Sequence, residues 1–347
     1  MKVVRFLVFV LTALLAGAVA WWAFDRYTGF ADAPVAGLQG DASLVVERGD
    51  SFAGVLDKLH AIGAAPERDL EWRLLARQMG VAGRLQVGEY ALESGITPRQ
   101  LLQRMHDGKV VRHRFTIVEG WNLRELRAAL ARAEPLLQET ASLDDAALAE
   151  VLGHAGTHLE GRFLPETYLY TRGDSDADLL QRAWTAMDTT LEAAWESRVA
   201  GLPLQTKEQA LVLASIIEKE TGVADERPQI AGVFVRRLKL GMKLQTDPTV
   251  IYGMGDRYEG NIRRSDLTTD TPYNTYTRAG LPPTPIAMPG AAAVHAATHP
   301  QPGDALYFVA VGDGSGRHVF TSSLRQHQAA VREYLQRYRA QRKAQGR

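Results

Sequence analysis

The residue best placed to do chemistry in this chain is a single carboxylate, Glu218, in a predominantly apolar stretch. Thr206 followed by Gln209 reads as a helix-capping pair, and the apolar run behind it predicts a helix over 207–221 with Gly222 as its stop. At helical spacing Leu211, Ala214 and Ser215 share the face of Glu218, a hollow of small and apolar groups in which the Ser215 hydroxyl is a candidate ligand contact. A carboxyl in such surroundings resists ionisation and keeps the proton that a general acid must deliver. The same residue can instead rim a core helix, satisfied by Lys219, Arg227 or a backbone N–H. Glu220 lies about 200° round the helix from Glu218, so it is expected to face elsewhere and serve structure.

The loops after this helix are rich in groups that hold polar rings. Gln245, Thr246, Asp247 and Pro248 predict a polar turn ahead of the short apolar segment 249–252. Pro272, Tyr273, Asn274, Thr275 and Tyr276 form an aromatic and amide cluster, and prolines stiffen 280–290. Long stiff loops with amides and phenols suit a groove better than a core. Residues 160–170 gather Phe163, Tyr168 and Tyr170 beside Glu166, which fits sugar faces and hydroxyls and equally a tight loop packed on a core.

Six stretches together carry a resemblance: EGRFLPETYLY at 160–170, ASIIEKET at 214–221, RLKLGMKLQTDPTVIYG at 237–253, PYNTY at 272–276, GLPPTPI at 280–286 and HVFTSSLRQH at 318–327. In order and combination they closely resemble the endolytic murein transglycosylases, the YceG-like family of bacterial cell-wall enzymes. Thr284 departs from the Gly expected in the family's proline loop. The resemblance implies cleavage of peptidoglycan glycan strands at the β-1,4 bond between N-acetylmuramic acid and N-acetylglucosamine. It assigns the acid/base role to Glu218, which protonates the bridging oxygen and then takes the proton of the muramic C6 hydroxyl, leaving a 1,6-anhydro end. Ser215, Gln245, Thr246, Asp247, Tyr273, Asn274 and Tyr276 are the expected substrate contacts. The resemblance calls for no cofactor or metal, and it suggests penicillin-binding cell-wall synthases as partners, with the cut ending growth of nascent strands.

Composition bounds the alternatives. At 347 residues and 46% hydrophobic content the chain can hold two domains and bury real cores. Lys plus Arg equals Asp plus Glu at 40 each, so the basic excess of a nucleic-acid binder is missing. The lack of cysteine excludes disulfides and cysteine nucleophiles. His295 and His299 stand at helical metal-pair spacing, but the glutamate of an HExxH motif is missing. Ser215 has no nucleophile elbow around it, and no glycine-rich phosphate loop is present.

Residues 6–24 form an uncharged apolar run long enough to cross a bilayer, preceded by Lys2 and Arg5 and ending near Trp21 and Trp22. This predicts a single-pass inner-membrane anchor with a cytoplasmic N-terminus and a periplasmic remainder. Small-residue steps at Ala18 and Ala20 also fit a cleaved signal peptide; the tryptophan pair and the length of the run favour the anchor. The expected fold class is α+β, divided as 1–26 cytoplasmic N-terminus and anchor, 27–40 spacer, 41–112 LysM-like domain and 113–347 mixed α+β catalytic domain.

Within that plan, 44–47 predicts a strand, Gly49-Asp50-Ser51 a capped turn and 52–62 a helix. Residues 115–118, Gly120, Asn122 and 123–133 repeat the pattern, which suggests a duplicated unit. The first copy resembles a LysM glycan-binding module, closed by a strand at 88–90 and a helix at 96–105; it reads equally as a packing domain. Residues 134–156 are expected to be helical beyond the break at Pro135, 174–200 an amphipathic core helix, and 324–347 a docked helix with a solvated basic tail. Two other functions remain open: an inert glycan-binding scaffold, with Glu218 exposed and no cleft, and a two-carboxylate muramidase, with Asp247 facing Glu218.

Overall fold

The structure is a computed structural model and describes residues 1–38, 42–64 and 68–344. The end of the expected spacer (39–40), residues 41 and 65–67 of the expected LysM-like domain and the tail at 345–347 lie outside the described residues. The chain is mixed α+β and divides into two compact units, 1–113 with 169–173, and 114–168 with 174–347.

In the first unit the elements are α1 (Lys2–Asp32), β1 (Ala42–Val46), α2 (Phe52–Ala61), α3 (Asp69–Gln78), β2 (Gly88–Leu92) and α4 (Pro98–Asp107). Strands β1 and β2 pair antiparallel with Leu44 opposite Tyr90. Alternation turns Leu44 and Val46 inward, onto Trp72, Tyr90 and Met105. The turn after β1 ends at Ser51, whose hydroxyl accepts from the Gly54 N–H to cap α2. Thr97 and Gln100 form a full capping box on α4.

Helix α1 is long and apolar enough to cross a membrane, and its apolar stretch is unburied. It does not stop where the spacer was expected to begin. Residues 27–32 are its last turns, and Phe30 and Ala31 are buried in the first core, with Phe30 edge-on to Trp72 at 5.4 Å between centroids. An apolar partner on α3 therefore holds as folded helix what composition alone suggested was a tether.

The elements that follow along the chain are β3 (His113–Thr116), α5 (Leu123–Leu130), α6 (Asp145–Val151), β4 (Thr167–Tyr170) and α7 (Asp176–Glu196). Strand, helix, helix, strand, helix is also the order from β1 to α4, and β3 pairs with β4 as β1 does with β2. The helix expected over 134–156 is confined to α6. Before it, the Glu139 and Thr140 N–H groups and the Thr140 hydroxyl all bind the Asp176 carboxylate, which diverts the chain into a loop tied to the start of α7.

Next come α8 (Lys207–Glu220), α9 (Arg227–Lys239), α10 (Asp247–Met254), the short α11 (Arg264–Thr268), α12 (Ala291–Thr298), the hairpin β5 (Tyr307–Ala310) and β6 (His318–Thr321), and α13 (Leu324–Ala344). Helix α8 is buried on every side from Ala210 to Ile217, the mark of a central helix. It packs against α7, α9, α10 and α12. Helix α12, AAAVHAAT, is nearly all small residues, which lets its backbone approach α8 closely. Arg236 and Arg237 of α9 donate to the Ala305 and Leu306 carbonyls, and the buried Glu226 accepts from the His318 N–H and ring, which ties the hairpin to α9.

Candidate active site

Thr206 caps α8 by accepting from the Gln209 N–H, while the Gln209 side chain reaches the Gln205 N–H, so the box is only half closed. The helix ends at Glu220, and Thr221 leaves in extended conformation with no left-handed glycine turn. The hollow expected beneath Glu218 is filled. Leu211, Ala214 and Ser215 are fully buried in the core that also holds Ala293, Val294 and Ala297 of α12. The Ser215 hydroxyl donates to the Val212 carbonyl at 2.7 Å and accepts from the Ile286 N–H at 3.0 Å. It clips the proline loop to α8 and is not open to a ligand.

Glu218 stands one turn beyond that packed face, its side chain 5% exposed. Its Oε2 accepts from the N–H of Gly290, the N-cap residue of α12, at 2.9 Å, and its Oε1 accepts from Arg227 Nη2 at 3.3 Å. The same Nη2 reaches Glu119 Oε2 at 3.4 Å. Burial pushes the Glu218 pKa up, and the Glu119 charge pushes the same way; the Gly290 N–H and Arg227 oppose them. The outcome is a raised carboxyl with a donor ready for each oxygen once it ionises.

The expected substrate contacts do not form one cluster around Glu218. Gln245 sits in the left-handed region at φ 52, uncommon for a residue with a side chain, and its N–H donates to the Thr275 carbonyl. The Thr246 hydroxyl donates to Glu220, and Tyr276 OH donates to Asp247 Oδ1 at 2.6 Å. Gln245, Thr246, Asp247 and Tyr276 thus belong to the end of α8 that carries Glu220. Burial pushes the Glu220 carboxyl up to about 7 against the Thr246 bond. Asp247 begins α10 instead of closing a turn.

Tyr273 packs edge-on to Tyr252 and its hydroxyl meets that of Thr284 at 2.8 Å, so the residue in the family's expected glycine position makes a polar contact. The buried Asn274 donates to the carbonyls of Asp266, Leu267 and Thr269 and accepts from the Tyr276 N–H; its amide folds the loop. Glu119 was not among the expected site residues, and Glu160 and Gly290 stood only as ends of the stretches 160–170 and 280–290, with no role of their own. Glu160 is 3% exposed, accepts from the Leu123 N–H at the start of α5 and from Tyr252 OH, and burial raises it to about 7. Glu218 and Glu160 each accept from a backbone N–H at the start of a helix, α12 and α5, where such groups favour negative charge, whereas Glu220 meets the hydroxyl of Thr246, the residue before α10.

Among the described residues no three His, Asp or Glu side chains converge as a metal site. The His295 and His299 rings stack at 4.1 Å, and His299 Nε2 bonds the Ser197 carbonyl, which fastens α12 to the end of α7.

The profile of the YceG-like family matches residues 44–333. The chain belongs to the YceG-like family. A Bacillus subtilis relative named endolytic murein transglycosylase is 32% identical over 302 residues, 82% of this chain and 81% of that protein. A Streptococcus pneumoniae serotype 2 relative of the same name is 25% identical over 283 residues, 72% of this chain and 51% of its own length. The 2.6 Å crystal structure of a YceG-like protein from Listeria monocytogenes aligns at a TM-score of 0.53 and 27% identity, over 84% of this chain and 99% of that one. The family match spans both compact units.

Proposed function

We propose that this YceG-like chain is an endolytic lytic transglycosylase of peptidoglycan, with Glu218 as its acid and base. The observation that carries the reading is the environment of Glu218: buried enough to hold a proton, yet provided with the Gly290 N–H and a share of Arg227 for the anion left after donation. One group can then act twice. Its proton passes to the oxygen bridging N-acetylmuramic acid and N-acetylglucosamine as the anomeric C–O bond breaks. The muramic C6 oxygen bonds to the anomeric carbon, and its proton returns to Glu218, leaving a 1,6-anhydro end without consuming water.

The enclosed Glu218 speaks against an inert scaffold, which called for an exposed one. For a muramidase the facing acid was to be Asp247, and Asp247 is instead bonded to Tyr276 beside Glu220. The acid that shares Arg227 with Glu218 is Glu119, 47% exposed. The reading includes a periplasmic catalytic domain carried by α1 as a single-pass inner-membrane anchor, with penicillin-binding synthases as partners. It also takes the first unit as LysM-like, supported by its strand, helix, helix, strand order.

Digestion of intact strands in ¹⁸O water tests the chemistry. Mass spectrometry should find unlabelled anhydro-muramic ends, whereas ¹⁸O in most new ends would make the protein a hydrolase.

A further inference from the structure

Arg227 Nη2 donates to two carboxylates, Glu218 at 3.3 Å and Glu119 at 3.4 Å, and the buried Arg227 Nε has no partner among the described residues. One cation between two acids leaves a surplus negative charge. Water stabilises that charge on Glu119, 47% exposed, far better than on Glu218, 5% exposed, so a proton shared by the group resides on Glu218. The other charged side chain nearby, Lys219, is turned onto the Gly120 carbonyl, and the N-terminus of α12 meets Glu218 through Gly290.

Gly290 supplies a second observation. Its backbone is ordinary, φ −70 and ψ 164, so no conformational need calls for glycine. A Cβ at that position, however, would overlap the Glu119 carboxylate. The missing side chain is the space that Glu119 occupies.

We propose that Glu119 is a positioning residue for Glu218: seated in the space left by Gly290, it shares the Arg227 guanidinium and limits how fully Arg227 neutralises Glu218. The proposal rests on the reading of Glu218 as the acid and base. Without the Glu119 charge, Arg227 pairs with Glu218 alone and stabilises its carboxylate, so the acid form is lost at lower pH.

The test is the pH profile of strand cleavage by the full-length protein in detergent, between about pH 5 and 9. For Glu119→Gln the alkaline limb is expected at lower pH, with a roughly tenfold lower rate at pH 8 and a much smaller loss at the acidic end. Glu119→Asp, which keeps the charge, should restore most of the limb's position. A limb left where the wild type has it, or an equal loss at every pH, overturns the proposal. If Glu119→Gln has no measurable rate, Gly290→Ala decides, because it displaces Glu119 without removing a charge: a limb moved down supports the proposal, and an unmoved one overturns it. Failure of the underlying reading shows separately, as retained activity in Glu218→Gln with Glu119 intact.

Discussion

Glu218 and Glu220 leave the same last turn of α8, yet the first meets a guanidinium and a backbone N–H and the second a threonine hydroxyl. Burial raises both carboxyls. What separates them is the direct cation. Glu220 is raised further by the Asp247 charge, with Arg237 acting only at a distance, so it favours the neutral form and a fixed hydrogen bond. Glu218 combines burial that favours the proton with donors that hold the anion, the condition for alternating between the two states. Glu160 resembles Glu220: enclosed, bonded to Tyr252 and the start of α5, and raised to about 7. Depth alone therefore does not mark the working acid among these carboxyls; the direct cation does.

The largest expected effect tests this contrast directly. Glu218→Gln keeps size and hydrogen bonding but removes the titrating proton, so strand cleavage should fall by at least ~10²-fold. Glu220→Gln keeps an acceptor for Thr246 and should lose less than about tenfold, the scale of disturbed positioning. Comparable losses in the two folded variants, measured as anhydro-end release, would erase the distinction.

A second expectation concerns stability. Glu160 and Glu220 have folded pKa values of about 7 against an ordinary 4.5. Below 4.5 both the folded and unfolded forms are protonated, and neither group costs anything. As pH rises from 4.5 to 7 the unfolded chain ionises first, so stability declines across that window and levels off above it. For Glu160, 3% exposed, the full effect is about 3 kcal/mol. Thermal unfolding of Glu160→Gln should show a flatter dependence between pH 4.5 and 7 than the wild type, with Glu220→Gln flattening it too. Parallel curves for the wild type and both variants would refute the neutral state assigned to these acids.

What could be read beforehand and what could not divides by range along the chain. Thr206 as the α8 cap, Ser51 as the α2 cap, Asn122 as the α5 cap and the strand expected at 44–47 follow from neighbours a few residues away, and the structure has the three caps and a strand over Ala42–Val46. The shared Arg227 joins residues 108 apart, and the Gly290 N–H lies 72 residues beyond Glu218. No local pattern encodes such meetings. The small residues below Glu218 show the ambiguity best: Leu211, Ala214 and Ser215 promise space, but a single sequence does not say whether a sugar or an alanine-rich helix takes it. Likewise the amides and phenols of these loops suit a sugar groove by type, yet Asn274 folds its own loop and Thr246 serves Glu220. The family motifs made the class legible because they need no geometry to recognise.

The smallest expected effect sharpens the comparison at Asp247. In the first turn of α10, Asp247 is held by the helix N-terminus and by Tyr276 OH at 2.6 Å. Tyr276→Phe removes only that donor. The lost bond to a charged acceptor should cost about 1.5 kcal/mol, read as a modest fall in melting temperature. Asp247 keeps its place at the helix end and lies with Glu220, so the pH profile of cleavage should retain both limbs, with a rate within about threefold of wild type. A muramidase using Asp247 as its second carboxylate would respond differently. Freed of its phenol, that carboxylate would lose the donor that fixes its direction, and strand cleavage would fall well over tenfold. A loss of rate well over tenfold in folded Tyr276→Phe, with little change in melting temperature, would therefore move the chemistry from the Glu218 end of this turn towards Glu220 and Asp247.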